Sequence, residues 1–156
     1  MDGLIELIFD GVPDGAIHGL VRNLIHGSDI LDISHSELGS LDPKRIGEDL
    51  MAFFDKETVP ITIFIRTTCI MVGGISINRP LVRILRFQGS NEVAVEFNST
   101  DIDATDRKDT VAKLAAGAKV LADSAAIPKY YCGFEPATDT RTRLFSQGKV
   151  GPLIEV

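Results

Sequence analysis

At 156 residues, with 44% hydrophobic and 24% charged side chains, the chain is long enough to bury one domain's core and too apolar to stay disordered. A net charge of −6 disfavours nucleic acid as a partner and favours basic partners. No apolar run reaches the roughly 18 residues of a membrane helix, and the acidic start (Asp2, Glu6, Asp10) is unlike a secretory signal, so a cytoplasmic protein that binds neither membrane nor nucleic acid is expected.

Leu4 to Phe9 reads as an opening strand, stopped by the turn residues Asp10-Gly11-Val12-Pro13. Ile17, Leu20, Val21, Leu24 and Ile25 then keep helical spacing, which predicts a helix over 14–26 with Gly27 in the left-handed position beyond its end. Ile30 to Ser34 is a short strand candidate. A second helix is expected over 43–55: Asp42 suits the N-cap, Pro43 the first helical position, and Leu41 with Ile46 a hydrophobic staple.

Four strand-like segments follow with no helix between them: Ile61 to Arg66, Cys69 to Ile77, Leu81 to Phe87 and Glu92 to Asn98. Short turns between consecutive strands imply an antiparallel meander over 61–98. The last segment alternates Val93, Val95 and Phe97 with Ala94 and Glu96, the pattern of a sheet with one buried face. A third helix is expected over 106–126, where Val111, Leu114, Ala115, Ala118, Leu121, Ala122 and Ala125 form a mostly alanine stripe able to pack closely. Asp103, Thr105 or Asp106 can cap it. The fold expected is α+β, a single domain over 1–156 with a mostly antiparallel sheet packed by about three helices.

Searching for chemistry yields little. His18, His26 and His35 all lie in the first quarter of the chain, without the tight spacing of a zinc site. Cys69 and Cys132 form no CxxC and are expected to be free and buried. Cys132 could act as a nucleophile only if the fold brought it to a histidine such as His35. Asp101-Ile102-Asp103-Ala104-Thr105-Asp106 starts like a calcium loop, but Asp106 stands where glycine is required and Ala112 where the bidentate glutamate is required. Gly73-Gly74 lacks the lysine of a phosphate loop and reads as a bulge or sharp bend. Arg66, Arg83 and Arg86 lie close in sequence, but Arg83 and Arg86 point to opposite faces of an extended strand. No catalytic residue, metal or cofactor is assigned, and a binding protein is expected rather than an enzyme.

Charge is unevenly spread. Residues 1–60 hold twelve acids against four bases, residues 61–90 hold four arginines and no acid, and residues 91–156 are nearly balanced.

The tail, Tyr130-Tyr131-Cys132-Gly133-Phe134-Glu135-Pro136-Ala137, then Asp139, Thr142-Arg143-Leu144-Phe145 and Gly151-Pro152-Leu153, is similar to C-terminal tails of bacterial immunity proteins from polymorphic-toxin and contact-dependent growth inhibition systems. The resemblance implies a protein that binds a cognate toxin domain and occludes its active site. Many such toxins are nucleases with basic clefts, which acidic side chains can match and steer towards. The acids in the N-terminal third, Asp29, Asp32, Glu37, Asp42, Glu48 and Asp49, are then the candidate toxin-binding residues. Each also has an ordinary reading as a solubility charge or helix cap, and the tail itself can serve as scaffold, with Tyr130 to Phe134 as a strand and Arg141 and Arg143 paired to nearby carboxylates. A small-ligand or regulatory α+β module, or an enzyme with a dispersed site, remains the alternative.

Overall fold

The computed structural model describes residues 3–37, 39–42, 60–87, 90–103 and 106–156. Strand β1 (Leu4–Asp10) is followed by a 3-10 turn (Asp14–Ala16), helix α1 (Ile17–Ile25), β2 (Ile30–His35) and β3 (Gly39–Ser40). Then come β4 (Ile61–Thr67), β5 (Cys69–Val72), β6 (Ile75–Asn78), β7 (Leu81–Phe87) and β8 (Ser90–Asn98). Helix α2 (Arg107–Ser124) leads to β9 (Lys129–Phe134), β10 (Arg143–Ser146) and β11 (Lys149–Val150). Nine strands form one sheet in the order β11-β10-β9-β1-β8-β7-β4-β2-β3, with every described pairing antiparallel. The α+β class expected from the sequence is the class observed.

The register sorts side chains onto two faces, because successive strand residues point to opposite sides. Ile5, Leu7 and Phe9 of β1 stand beside Phe97, Val95 and Val93 of β8, and beyond them lie Val82 and Ile84 of β7, then Ile63 and Ile65 of β4. All are almost fully buried. Against them pack Ile17, Leu20, Val21 and Leu24 of α1 and Val111, Leu114, Ala115, Ala118 and Ala122 of α2. The β5–β6 hairpin adds Ile70, Val72, Ile75 and Ile77 to the same core. Truncating one such isoleucine to alanine is worth about 2–5 kcal/mol, so this layer sets the fold.

The meander expectation needs one correction. Cys69 to Ile77 is not a single strand but a hairpin that leaves the large sheet, and β4 pairs directly with β7. Gly73 and Gly74 have φ of 59° and 81°, and two successive left-handed residues reverse a chain in a two-residue turn. The reversal lays the apolar side of the hairpin under the helices. At its tip the backbone of Gly73 lies against Gly117 of α2: a Cβ on Gly117 would sit 2.6 Å from the Gly73 Cα. The alanine-rich stripe permits this close approach.

Helix α2 begins where a capping residue stands. The Asp106 carboxylate accepts from the backbone N–H groups of Lys108 and Asp109 at 3.0 and 3.1 Å. Asp106→Ala is expected to lower stability by about 1 kcal/mol, read as a shift of the urea midpoint at unchanged slope. Helix 14–26 is observed as a 3-10 turn running into α1, with Gly27 at φ 75° after it. The helix expected over 43–55 lies outside the described residues. Cys132 is buried as expected, but Cys69 is only half-buried, its Sγ 3.0 Å from the Ser76 hydroxyl, because its strand sits at the rim of the hairpin.

Candidate partner-binding face

The second face of the sheet has a different character. Rows across the strands read Asp32, Arg66, Leu81, Glu96, Glu6, Gly133 and Arg143, and then Ser34, Phe64, Arg83, Ala94, Ile8, Tyr131 and Ser146. Below these lie Thr62, Leu85, Glu92, Asp10 and Lys129.

One end of this face is covered by the tail. After β9 the chain turns through a cis Glu135-Pro136 bond and a 3-10 turn (Thr140–Thr142) capped by Asp139, and returns as β10. Gly133 lets it pass closely, since a Cβ there would lie 2.6 Å from the Thr142 carbonyl oxygen. Glu6, 8% exposed, accepts from the Ala137 N–H at 3.0 Å and so ties the loop down. Ile8, Ala94, Tyr131 and Ala137 form a small second core beneath it. The Arg143 guanidinium lies 4.2 Å from the centre of the Tyr131 ring and donates to the Ala137 carbonyl. Of the local carboxylate pairs expected for the tail, Arg141 with Asp139 is present, whereas Arg143 bonds to carbonyls and to Ser146.

Towards β7, β4 and β2 the face is open among the described residues. Phe64 is 36% exposed and Leu81 and Leu85 are half-buried. At the boundary Arg83 stands over Ala94, with Glu96 at 3.1 Å, Glu92 at 3.5 Å and Glu6 at 3.8 Å. One guanidinium among three carboxylates leaves two negative charges uncompensated. Glu6 spends one oxygen on the loop, while Glu92 and Glu96 each use Oε1 on Arg83 and keep Oε2 unpaired among the described residues. Burial pushes the Glu92 carboxyl above the ordinary glutamate value; Arg83 pulls it partly back, and Asp10, Glu6 and Glu96 add to the rise. Glu96 is raised for the same reason, with Arg83 and Arg66 opposing and Glu6 and Glu135 reinforcing. Arg86, on the other side of β7 as its spacing requires, pairs instead with Asp14 at 3.6 Å.

The acids singled out from the sequence lie elsewhere. Asp29, Asp32, Glu37 and Asp42 are all exposed and follow the β2–β3 edge of the sheet. Asp29 and Glu37 bracket β2, and an extended strand of that length separates them by roughly 25 Å, so these acids form a strip and cannot converge on one group. Asp32 lies on the open face, opposite Arg66. Glu48 and Asp49 lie outside the described residues. The sequence does not single out Glu6, Glu92 or Glu96 as site residues, and it offers Arg83 only within a basic cluster with Arg66 and Arg86.

The nucleophile alternative does not assemble. Cys132 on β9 and His35 on β2 are separated by five strand spacings, roughly 24 Å. Burial also pushes the Cys132 thiol far up, away from the reactive thiolate, and His35 accepts the Glu37 N–H at its Nδ1. Among the described residues no group of three His, Cys, Asp or Glu side chains is placed to hold a metal ion, and no helix is long and apolar enough to cross a membrane.

Comparison with known proteins extends this picture. The chain matches one chain in the 1.75 Å crystal structure of the toxic C-terminal tip of CdiA from Pseudomonas aeruginosa in complex with immune protein, with a TM-score of 0.80 at 24% identity over 98% of this chain and 99% of that one. At that identity the likeness establishes the fold. No curated protein matches. The family model described as PABL017 Cdi1I immunity protein matches residues 3–150, nearly the whole chain, and the chain therefore belongs to that immunity protein family.

Proposed function

We propose that this immunity protein neutralises a cognate toxin domain by binding it through the open part of the sheet and occluding its active site. The observation that carries the reading is the patch formed by Phe64, Leu81 and Leu85, open among the described residues, beside Glu92 and Glu96, where apolar area and net negative charge adjoin on the sheet. Such a patch suits a basic protein surface, and a nuclease cleft is one. The family and the fold shared with a toxin–immune protein complex support it. Occlusion needs only affinity, which fits a protein acting in the cytoplasm where an incoming toxin would work.

Within this reading Asp29, Asp32, Glu37 and Asp42 act as steering charges along one edge, and Glu48 and Asp49 add their charge to the same role, raising the rate of encounter without forming the central contact. The test is growth rescue. Cells expressing the toxin domain encoded beside this chain should survive when they also express the wild-type protein, and Phe64→Asp should lose protection while its thermal midpoint stays within a few degrees. Full protection by Phe64→Asp would move the binding surface off this face. Charge reversal from Asp29 to Asp49 should slow association and flatten its salt dependence; unchanged association would remove the steering role.

A further inference from the structure

Electrostatics on the open face is not a simple matter of acidity, because an arginine stands among its carboxylates. Arg83 is anchored on β7, next to the middle strand β8 and directly opposite its Ala94, whose methyl leaves room for the guanidinium to lie along the sheet. Glu92 and Glu96 flank that position on the neighbouring strand, and each turns one oxygen inward to it. An arginine fork holds carboxylates in fixed directions, and rotamers fixed before docking are not lost on docking. Each glutamate keeps its Oε2 unpaired among the described residues, beside its register partner Leu85 or Leu81, so two carboxylates gathered on one guanidinium can still accept from a cationic side chain approaching from outside.

Resting on the function proposed above, we infer that Arg83 is a positioning residue for docking: it holds Glu92 and Glu96 as a preorganised pair of acceptors for one lysine or arginine of the toxin, with Phe64, Leu81 and Leu85 as the apolar surround. The partner surface is accordingly a basic side chain set in an apolar ring.

Arg83 makes a consequence that pure charge attraction does not. Removing it makes the face more negative, so steering alone predicts tighter binding, whereas loss of preorganisation predicts weaker binding. The experiment measures association and dissociation rates with the purified toxin domain encoded beside this chain, for wild type, Arg83→Gln, Arg83→Lys and the double variant E92Q/E96Q. Arg83→Gln is expected to associate as fast as wild type or faster at low salt, yet to dissociate roughly ten-fold faster or more, as for a central interface contact. Arg83→Lys, which keeps the charge and loses the fork, should recover part of that loss. E92Q/E96Q, nearly isosteric and free of any folding demand from the pair, should raise Kd roughly ten-fold and reduce the salt dependence. Dissociation by Arg83→Gln and E92Q/E96Q at the wild-type rate would overturn the inference while leaving toxin binding intact. Failure of the wild-type protein to bind or protect would instead sink the functional reading itself.

Discussion

Gly117→Ala is expected to destabilise the protein by about 2 kcal/mol or more, although alanine is the better helix former. Propensity alone favours the change by about 1 kcal/mol. Against it stands the tip of the β5–β6 hairpin: the new methyl would lie 2.6 Å from the Gly73 Cα and 2.9 Å from the Val72 carbonyl carbon. Both obstacles are backbone, and neither can rotate away. Relief requires the hairpin to lift from α2, which opens the core around Val72, Ile70 and Ile77. Gly19 in α1 supplies the control, because a Cβ there meets nothing within 4 Å. Gly19→Ala should stabilise by about 0.5–1 kcal/mol. The two variants should therefore move the urea midpoint in opposite directions. A shared upward shift would mean that the hairpin does not rest on the helix.

The same hairpin marks where sequence reading stops. Periodicity located β1, β4, β7, β8 and both described helices, because each carries a regular apolar pattern decided by its own residues. Gly73-Gly74 was visible as an interruption, but a bend, a bulge and a complete reversal share that signature. The choice among them depends on the left-handed φ of both glycines and on a helix forty residues downstream that has a gap to receive them. Likewise the tail strand β9 was legible, whereas its place beside β1 follows from a pairing of Ile5 with Phe134 that no local pattern encodes.

The candidate site was less legible, for a related reason. Density of acids along the chain pointed to Asp29 through Asp49, and the described members of that set do share an edge. Density, however, measures neither convergence nor burial. Glu6 comes from β1, Glu92 and Glu96 from β8 and Arg83 from β7, and only the register that sets Glu6 opposite Glu96, and Arg83 opposite Ala94, turns scattered charges into a cluster. One clue was available: Glu96 occupies the polar phase of the alternating strand β8, and Glu6 is the one charge inside the apolar run from Leu4 to Phe9. Their meeting still required the strand order.

Acidification should affect folding and binding in opposite senses, and the E92Q/E96Q variant isolates the effect. Glu92 and Glu96 have folded-state pKa values raised above the ordinary glutamate value of 4.5. The native state therefore takes up protons before the unfolded chain does, so the stability these groups contribute is fully present below 4.5 and is lost as pH rises through their raised values. Around them stand Glu6 and Asp10 on β1, Arg83 on β7, Arg66 on β4, Lys129 and Tyr131 on β9, and Glu135 in the tail loop. Of these, the carboxylates reinforce the rise and the arginines oppose it. A cationic side chain of the toxin favours the ionised carboxylates, so binding is strongest above the window and weakens as pH falls through it, while the free protein gains stability from these two groups. Calorimetric titration of the toxin domain across this range should show the affinity gap between wild type and E92Q/E96Q closing towards pH 4.5. Thermal midpoints of the free proteins should converge over the same interval, from a neutral-pH starting point at which the glutamine variant is the more stable. An affinity gap that stays constant with pH would show that the carboxylate charge does not contact the partner.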